Sequence, residues 1–349
     1  MVQQIIPGKS ERGVEAAPAI PPRPAAPAVS QVRVDEGSEG QRLDNFLLKL
    51  LKGVPKTHVY RVIRSGEVRV NKGRAAADTR LALGDEVRVP PVRMAERSDA
   101  APAPAREFAR VFEDDWLIAI DKPAGVAVHG GSGVSFGVIE QLRRARPDAK
   151  FLELVHRLDK ETSGLLLIAK KRSALLALQE QLRQHQGEKV IAKTYAALVA
   201  GAWPASLRVI DVPLHKFLTG DGERRVRTVD ADDDSGRRSI TLLKVEQRFA
   251  EFTLLDVTLK TGRTHQIRVH LLHAGHPIAG DDKYGDFDLN KALARGDASR
   301  GCKFKRMFLH ARRLRFEHPA SAEVITLESP LPRECEALLG ALAPNPTAR

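Results

Sequence analysis

Cysteine is scarce, long apolar runs are absent, and the glycine signatures of nucleotide binding are missing. The two cysteines of the 349-residue chain, Cys302 and Cys335, show no metal-ligand spacing and suit inert thiols in a reducing compartment. No stretch approaches the ~18 uninterrupted apolar residues that span a bilayer. The opening "MVQQIIPGKSERG" has no apolar segment long enough for a secretory signal. A cytoplasmic chain without a membrane segment is therefore expected. "HGGSG" (129–133) lacks the spacing and the Lys-Ser/Thr of a P-loop, and no G-x-G-x-x-G opens a helix. Ser163 stands in "TSG" rather than in a G-x-S-x-G elbow, so turn formation or capping is its expected role.

What is present is positive charge. Lys and Arg number 56 against 44 Asp and Glu, a formal net of +12 with a pI near 9.8. More than half of that excess falls within Gln41–Arg97, a sixth of the chain. A basic module of this kind is the electrostatic footprint of nucleic-acid binding. The length predicts two domains with tails. Residues 1–35 include "EAAPAIPPRPAAPAVSQ", which carries too little large apolar surface to offset ordering, and a disordered arm is expected there. "ERSDAAPAPARE" marks a linker at 98–106. The remaining segments, 36–97 and 107–349, are the two expected domains.

In the first of these, "RLDNFLLKLLKG" spaces Leu43, Phe46, Leu47, Leu50 and Leu51 as a helix does. "PKTHVYRVIRSG" starts on Pro55 and stops at Gly66, with Val59, Val62 and Ile63 on one face and Arg61 and Arg64 facing outward. "EVRVNKGR" and "LGDEVRVPP" alternate apolar and charged residues as strands. Arg69, Lys72 and Arg74 fall on the polar face with no aromatic beside them, which suits phosphate rather than base contacts. The order and spacing of these pieces resemble an S4 (αL-like) RNA-binding domain. The second module reads as strands at "WLIAIDKP", "AKTYAALVAG", "FTLLDVTLKTG" and "FLHARRLRFEHP" and as helices at "VIEQLRRARP", "SALLALQEQLRQHQ" and "THQIRVHLLHAG". No regular βαβ alternation runs through them, so the class is α+β.

Several constellations compete for the chemistry. His265, His270, His273 and His276 suggest a metal cluster, and with it a metal-dependent nuclease. The H-E-x-x-H glutamate is missing, however, and no acid or thiol completes a shell, so no metal is expected. A glycosidase-type acid pair would need Asp281 or Asp282, whose "AGDDKYG" reads as a turn. What remains is Asp159 in "HRLDKETSG", set between Arg157 and Lys160, together with Tyr195, Arg263 and Arg268. Singly, each has an ordinary reading as an ion pair, a strand tyrosine or surface base.

Taken together and in order, "HRLDKETSGLLLIAK", "KTYAALVAG", "TGRTHQIRVH", "GHPIAGDDKYG" and "FLHARRLRFEHP" resemble the pseudouridine synthases. "FLELVHRLD" and the S4-like front narrow the likeness to those that modify bacterial large-subunit ribosomal RNA. The resemblance implies a catalytic domain with a curved, mostly antiparallel sheet and a cytoplasmic enzyme that isomerises specific uridines of 23S rRNA. It implies Asp159 as the reactive carboxylate, Arg268 as its partner, and Tyr195 as the residue that stacks on the base and takes the C5 proton. Arg263 would neighbour Arg268, Arg157 would wedge into the vacated stack, and Arg61, Arg64, Arg69 and Lys72 would hold the RNA backbone. An isomerisation transfers no group and changes no oxidation state, so no cofactor is expected, and a monomer is the simplest state. The alternatives are the same chemistry on tRNA or another rRNA site, or a non-catalytic RNA-binding or ribosome assembly factor. "TVDADDDSGRRS" and "QHQGEKV" are expected in surface loops.

Overall fold

The computed structural model describes residues 29–51, 53–92, 103–131, 134–184, 191–220 and 223–344. Most of the expected arm, 1–28, and part of the expected linker, up to 102, lie outside the described residues, as does 185–190 of the "QHQGEKV" loop. The chain divides into two compact units, 1–98 and 99–349.

In the first unit, β1 (Ser30–Arg33) is followed by α1 (Leu43–Leu50), α2 (Lys56–Arg64), β2 (Arg69–Val70), β3 (Gly73–Arg74) and β4 (Glu86–Val89). The four strands form one sheet in the order β1-β4-β2-β3. The apolar positions read from helical spacing form its core: Leu43, Phe46 and Leu47 of α1 meet Val59, Val62 and Ile63 of α2 and Val87 of β4. Asn71 and Lys72 both take positive φ, 49° and 68°, which is the twist a two-residue hairpin needs between β2 and β3. The turn places Lys72 at an exposed tip beside Arg74, while Arg61 and Arg64 stand exposed on α2. Asp44 points inward instead, held by Arg42 at 2.8 Å and the Tyr60 hydroxyl at 3.0 Å. The Arg42 bond is the main reason its carboxyl lies below the ordinary range.

The second unit is built on a ten-stranded sheet, eight strands of which follow the order β10-β13-β14-β9-β15-β8-β6-β5, while β16 pairs with β15 and β7 with β8. In chain order these are β5 (Arg110–Glu113), β6 (Leu117–Lys122), β7 (Glu153–Leu154), β8 (Ser163–Ala169), β9 (Ala192–Ala200), β10 (Val209–Asp211), β13 (Ile240–Arg248), β14 (Phe252–Leu259), β15 (Leu309–Glu317) and β16 (Val324–Glu328). Two further strands, β11 (Leu214–Leu218) and β12 (Arg224–Thr228), make a separate hairpin. The helices are α3 (Val138–Ala145), α4 (Arg172–Arg183), α5 (Gln266–His273), α6 (Phe287–Arg295) and α7 (Arg333–Ala341). Every pairing is antiparallel except β8 with β15.

The sheet is covered on both faces, and the alternation of its central strands shows it. Leu166 and Ile168 of β8 enter one core with Tyr195, Ala197 and Val199 of β9, closed by α3 and α5. Leu165 and Leu167 enter another core with Ala174, Leu175 and Leu178 of α4. Ala196 and Leu198 join a third with Leu293 of α6 and Leu338 of α7. That double burial explains the unbroken "LLLIA", since a strand covered on both sides has no polar face to display.

Ser163 and Gly164 already belong to β8, so the turn after Asp159 is made one step earlier, by Lys160 and Glu161, with Thr162 N–H donating to the Asp159 carbonyl. Ser163 therefore neither turns nor caps. It is buried, its hydroxyl bonded to His310 Nδ1 at 2.9 Å and to Arg306 Nη2 at 2.6 Å. Gly164 adopts φ +107°, and a Cβ there would lie 2.3 Å from the Ala311 carbonyl oxygen of β15. Gly164→Ala is accordingly expected to destabilise the unit by about 2–4 kcal/mol, by strain and by forcing β8 away from β15. Chemical denaturation checks this, and an unchanged midpoint would contradict it. No helix among the described residues is long and apolar enough to cross a membrane.

Candidate active site

Asp159 lies in the loop between β7 and β8, Tyr195 in β9, and Arg268 in the first turn of α5. The fold brings all three to one cavity of 790 Å³, a volume in the range of ligand sites. Arg268 Nη1 stands 3.5 Å from Asp159 Oδ2, across 109 residues of sequence. Arg157 and Arg263 also line this cavity, both exposed. The four basic residues of the first unit, Arg61, Arg64, Arg69 and Lys72, belong to a separate body. Among them Arg69 is partly committed, its Nε donating to the Gly66 carbonyl at 2.8 Å.

The arginine is held more firmly from behind than from in front. Its Nε and Nη2 donate to both oxygens of Asp281 at 2.7 and 2.6 Å, a bidentate pair with Arg268 at 5% and Asp281 at 0% side-chain exposure. The "AGDDKYG" segment is the turn expected, and its first acid is also the anchor of Arg268. Asp281 Oδ1 accepts the Lys283 and Tyr284 N–H groups at 2.9 Å, which fixes the turn and the carboxylate together. Burial raises Asp281, but the bonds and charge of Arg268 outweigh it and leave the carboxyl below its ordinary range. Asp159, at 25% side-chain exposure, lines the cavity on the other side of the guanidinium. With Arg268 buried and committed on one side, its third nitrogen is a fixed positive edge beside Asp159.

Tyr195 is 6% exposed on the cavity wall. Burial pushes its hydroxyl up and the Asp159 carboxylate pushes it further, so the phenol is neutral at ordinary pH. His156, two residues after β7, accepts the Leu167 N–H at Nε2 and is pushed down to about 3 by burial first and Lys193 second. It is a neutral ring that ties the Asp159 loop to β8.

Among the described residues no group of three or more His, Cys, Asp or Glu is placed to hold a metal ion. His270 bonds Thr241 and the Val212 carbonyl, His276 the Ala200 carbonyl, and His265 the Tyr284 hydroxyl. Cys302 and Cys335 are both free thiols. The acidic "TVDADDDSGRRS" run is an exposed loop leading from β12 to β13.

Two further residues carry weight that the sequence pattern does not disclose. Lys193, half-buried in β9, lines the cavity. Lys122, with no exposed surface, donates to the carbonyls of Pro123, Val126 and Lys160 at 2.9, 2.8 and 3.0 Å. The last of these bonds grips the residue next to Asp159. Burial pulls the Lys122 ammonium down to about 7. The sequence signal is a lysine that closes the strand "LIAIDK" directly before a proline.

The family model described as RNA pseudouridylate synthase matches residues 116–273, a span that holds Asp159, Tyr195 and Arg268, and the S4 domain model matches residues 41–87. The chain is 50% identical over 329 residues to the ribosomal large subunit pseudouridine synthase C of Yersinia pestis, covering 93% of this chain and 98% of the relative. It is 50% identical over 311 residues to the protein of that name in Escherichia coli K12, covering 87% and 94%. Among solved structures, human RNA pseudouridylate synthase domain containing 4 aligns with a TM-score of 0.53 at 26% identity, over 68% of this chain and 95% of that one. A cavity holding an aspartate, an arginine and a tyrosine, an S4 domain in front and relatives alike along almost their whole length lead to one assignment: the chain belongs to the RNA pseudouridylate synthase family and is an isomerase.

Proposed function

We propose that the enzyme isomerises specific uridines of 23S ribosomal RNA to pseudouridine, with Asp159 as the reactive carboxylate. The observation that carries the reading is the pairing of a cavity-facing carboxylate with a buried arginine edge 3.5 Å away. The relatives' name, with its ribosomal large subunit, supplies the RNA. Such an RNA is handled in the cytoplasm, and one chain carries the whole site, so a cytoplasmic monomer accompanies the reading.

The reaction breaks the N1–C1′ bond, turns the base and joins C5 to C1′, while C5 loses a proton and N1 gains one. Asp159 supplies the negative group, either by attacking C1′ or the base or by removing the C2′ proton. Arg268 sets a fixed positive edge 3.5 Å from it, which offsets the repulsion between the carboxylate and the RNA phosphates. Tyr195 offers a ring on which the turning base stacks. As a neutral phenol it takes up the C5 proton only by passing its own proton on. A target base must leave its stack at a cost of a few kcal/mol, and in this reading Arg157, exposed on the cavity wall, fills the gap.

Mapping pseudouridines in 23S rRNA from cells lacking the gene tests the assignment. Specific sites should disappear and return with the intact gene, and purified enzyme should restore them in an unmodified transcript. An unchanged map sinks the rRNA assignment, and conversion of a tRNA transcript in its place moves the same chemistry to that RNA. In the S4 unit, replacing Arg61, Arg64, Arg69 and Lys72 together by Ala should weaken RNA binding about uniformly across sequences. It should also flatten the dependence of log K on log salt by roughly 0.7–0.9 for each phosphate that is no longer neutralised. A binding titration at several salt concentrations reads both, and an unaltered slope removes these residues from the interface.

A further inference from the structure

The cavity has a wall that the scheme above leaves unused, at His265. This residue opens α5 in the left-handed region, φ +53°, a conformation that side chains other than glycine keep only when their surroundings hold it. It makes no side-chain cap bond to the helix it begins. Its Nδ1 lies 2.9 Å from the hydroxyl of Tyr284, and the same hydroxyl accepts the Val226 N–H at 3.0 Å. A phenol has a single proton. Among the bonded neighbours of this one the sole acceptor is His265 Nδ1, so the assignment that satisfies every group directs the phenol proton to the Nδ1 lone pair and leaves the ring's own proton on Nε2.

Tyr284 is fixed in turn. Its ring lies under the Arg268 guanidinium at 5.0 Å, and its N–H donates to Asp281 Oδ1. No other hydrogen bond engages the His265 side chain among the described residues, and His265 lines the cavity with Asp159 and Tyr195. Burial lowers the proton affinity of this imidazole against the pull of Asp159, so the ring stays neutral near pH 7.

Resting on the isomerisation proposed above, we propose that His265 is a substrate-contacting residue whose Nε2–H donates to a carbonyl oxygen of the target uracil, with Tyr284 as its positioning residue. The chemistry asks for a donor of this kind. When the N1–C1′ bond breaks, its electron pair leaves on the base and spreads over N1 and the ring carbonyls. A neutral imidazole N–H stabilises that charge without surrendering its proton, so the base remains free to turn. The pair that rejoins C1′ comes from C5 as its proton departs. Val226 belongs to the β11–β12 hairpin, which bears Lys216, Arg224, Arg225 and Arg227. Backbone from a basic surface element thus helps set the tautomer inside the cavity.

The test is single-turnover conversion by the full chain of a 23S rRNA fragment carrying uridine, 2-thiouridine or 4-thiouridine at a site the wild type modifies. Sulfur is a poor acceptor, so one of the two substitutions should slow the wild type by roughly tenfold to a hundredfold. His265→Ala should slow uridine by the same factor with unchanged RNA affinity, and should lose its sensitivity to that one sulfur. Tyr284→Phe should show a smaller loss, and its histidine 15N spectrum should pass from a single Nε2–H tautomer to a mixture. A merely structural role would lower the melting temperature and leave both sulfur effects in place. Wild-type turnover by His265→Ala, or undiminished sensitivity to both sulfurs, overturns the proposal. A wild type inert on the uridine fragment is a failure of the reaction itself, seen before any variant is made.

Discussion

Asp159→Asn should end pseudouridine formation while leaving RNA binding intact. The amide keeps the shape of the side chain and removes its charge, so it can neither attack C1′ nor accept the C2′ proton. A loss of about 10³-fold or more is the scale expected when the one reacting group is taken from a site whose other parts remain. Folding should survive, because the side chain is 25% exposed and its ion pair with Arg268 is long, 3.5 Å. RNA affinity should hold or rise slightly, since a negative charge has left a cavity lined by Arg157, Arg263 and Arg268. Conversion of an rRNA transcript, a filter-binding titration and a melting curve on the same preparation separate the three quantities. Turnover near the wild-type rate would remove Asp159 from the chemistry. A collapse of binding or melting temperature would mean that the carboxylate was holding the site together instead.

How much of this was legible in the sequence depends on the range of the interaction concerned. Helices α1, α2, α4 and α5 announce themselves through apolar spacing, and β6, β9, β14 and β15 through runs of strand-forming residues, because these signals are written within ten neighbours. The buried strand β8 showed only as a greasy stretch after "TSG", since burial on both faces erases the alternation that marks a half-exposed strand. The hairpin β11–β12, with Lys216, Arg224, Arg225 and Arg227, carries so much charge that its pattern resembles a loop. Of the site, the acid, the tyrosine and the arginine could be named by resemblance to a family, but their meeting could not be derived from spacing. It depends on β8 and β9 flanking β15, a pairing order that no local pattern encodes. The role of Asp281 was hidden for another reason. Its neighbours Asp282, Lys283 and Gly285 signal a turn, which is correct, and nothing local tells that one of two adjacent acids turns inward to full burial while the other stays 78% exposed.

That inward acid is the basis of the second large effect. Asp281→Asn should lower stability by about 3–5 kcal/mol, because it leaves the Arg268 charge buried with Asp159 at 3.5 Å as its nearest compensation. The amide oxygen can still accept the Lys283 and Tyr284 N–H groups, so the turn itself should survive and the loss should report the charge pair. Freed from its rear clamp, Arg268 should swing toward Asp159, and turnover should fall by roughly tenfold to a hundredfold from misplacement alone. The pH dependence gives an independent check. The Asp281 carboxyl is depressed in the folded protein, so its stabilisation is fully present above the unfolded value of about 3.9 and drains away as pH falls through the folded value. Wild-type stability should therefore decline below about pH 4 by a component that Asp281→Asn lacks. Pairing the substitution with Arg268→Met removes both buried charges together, and most of the lost stability should return because the one ion that loses its partner, Asp159, is partly exposed to water. Activity should not return with it, since the edge that faced Asp159 is gone. A double variant that regained both would assign Arg268 to the scaffold alone, and one that regained neither would mean that the pair is worth more as a bond than as cancelled charges.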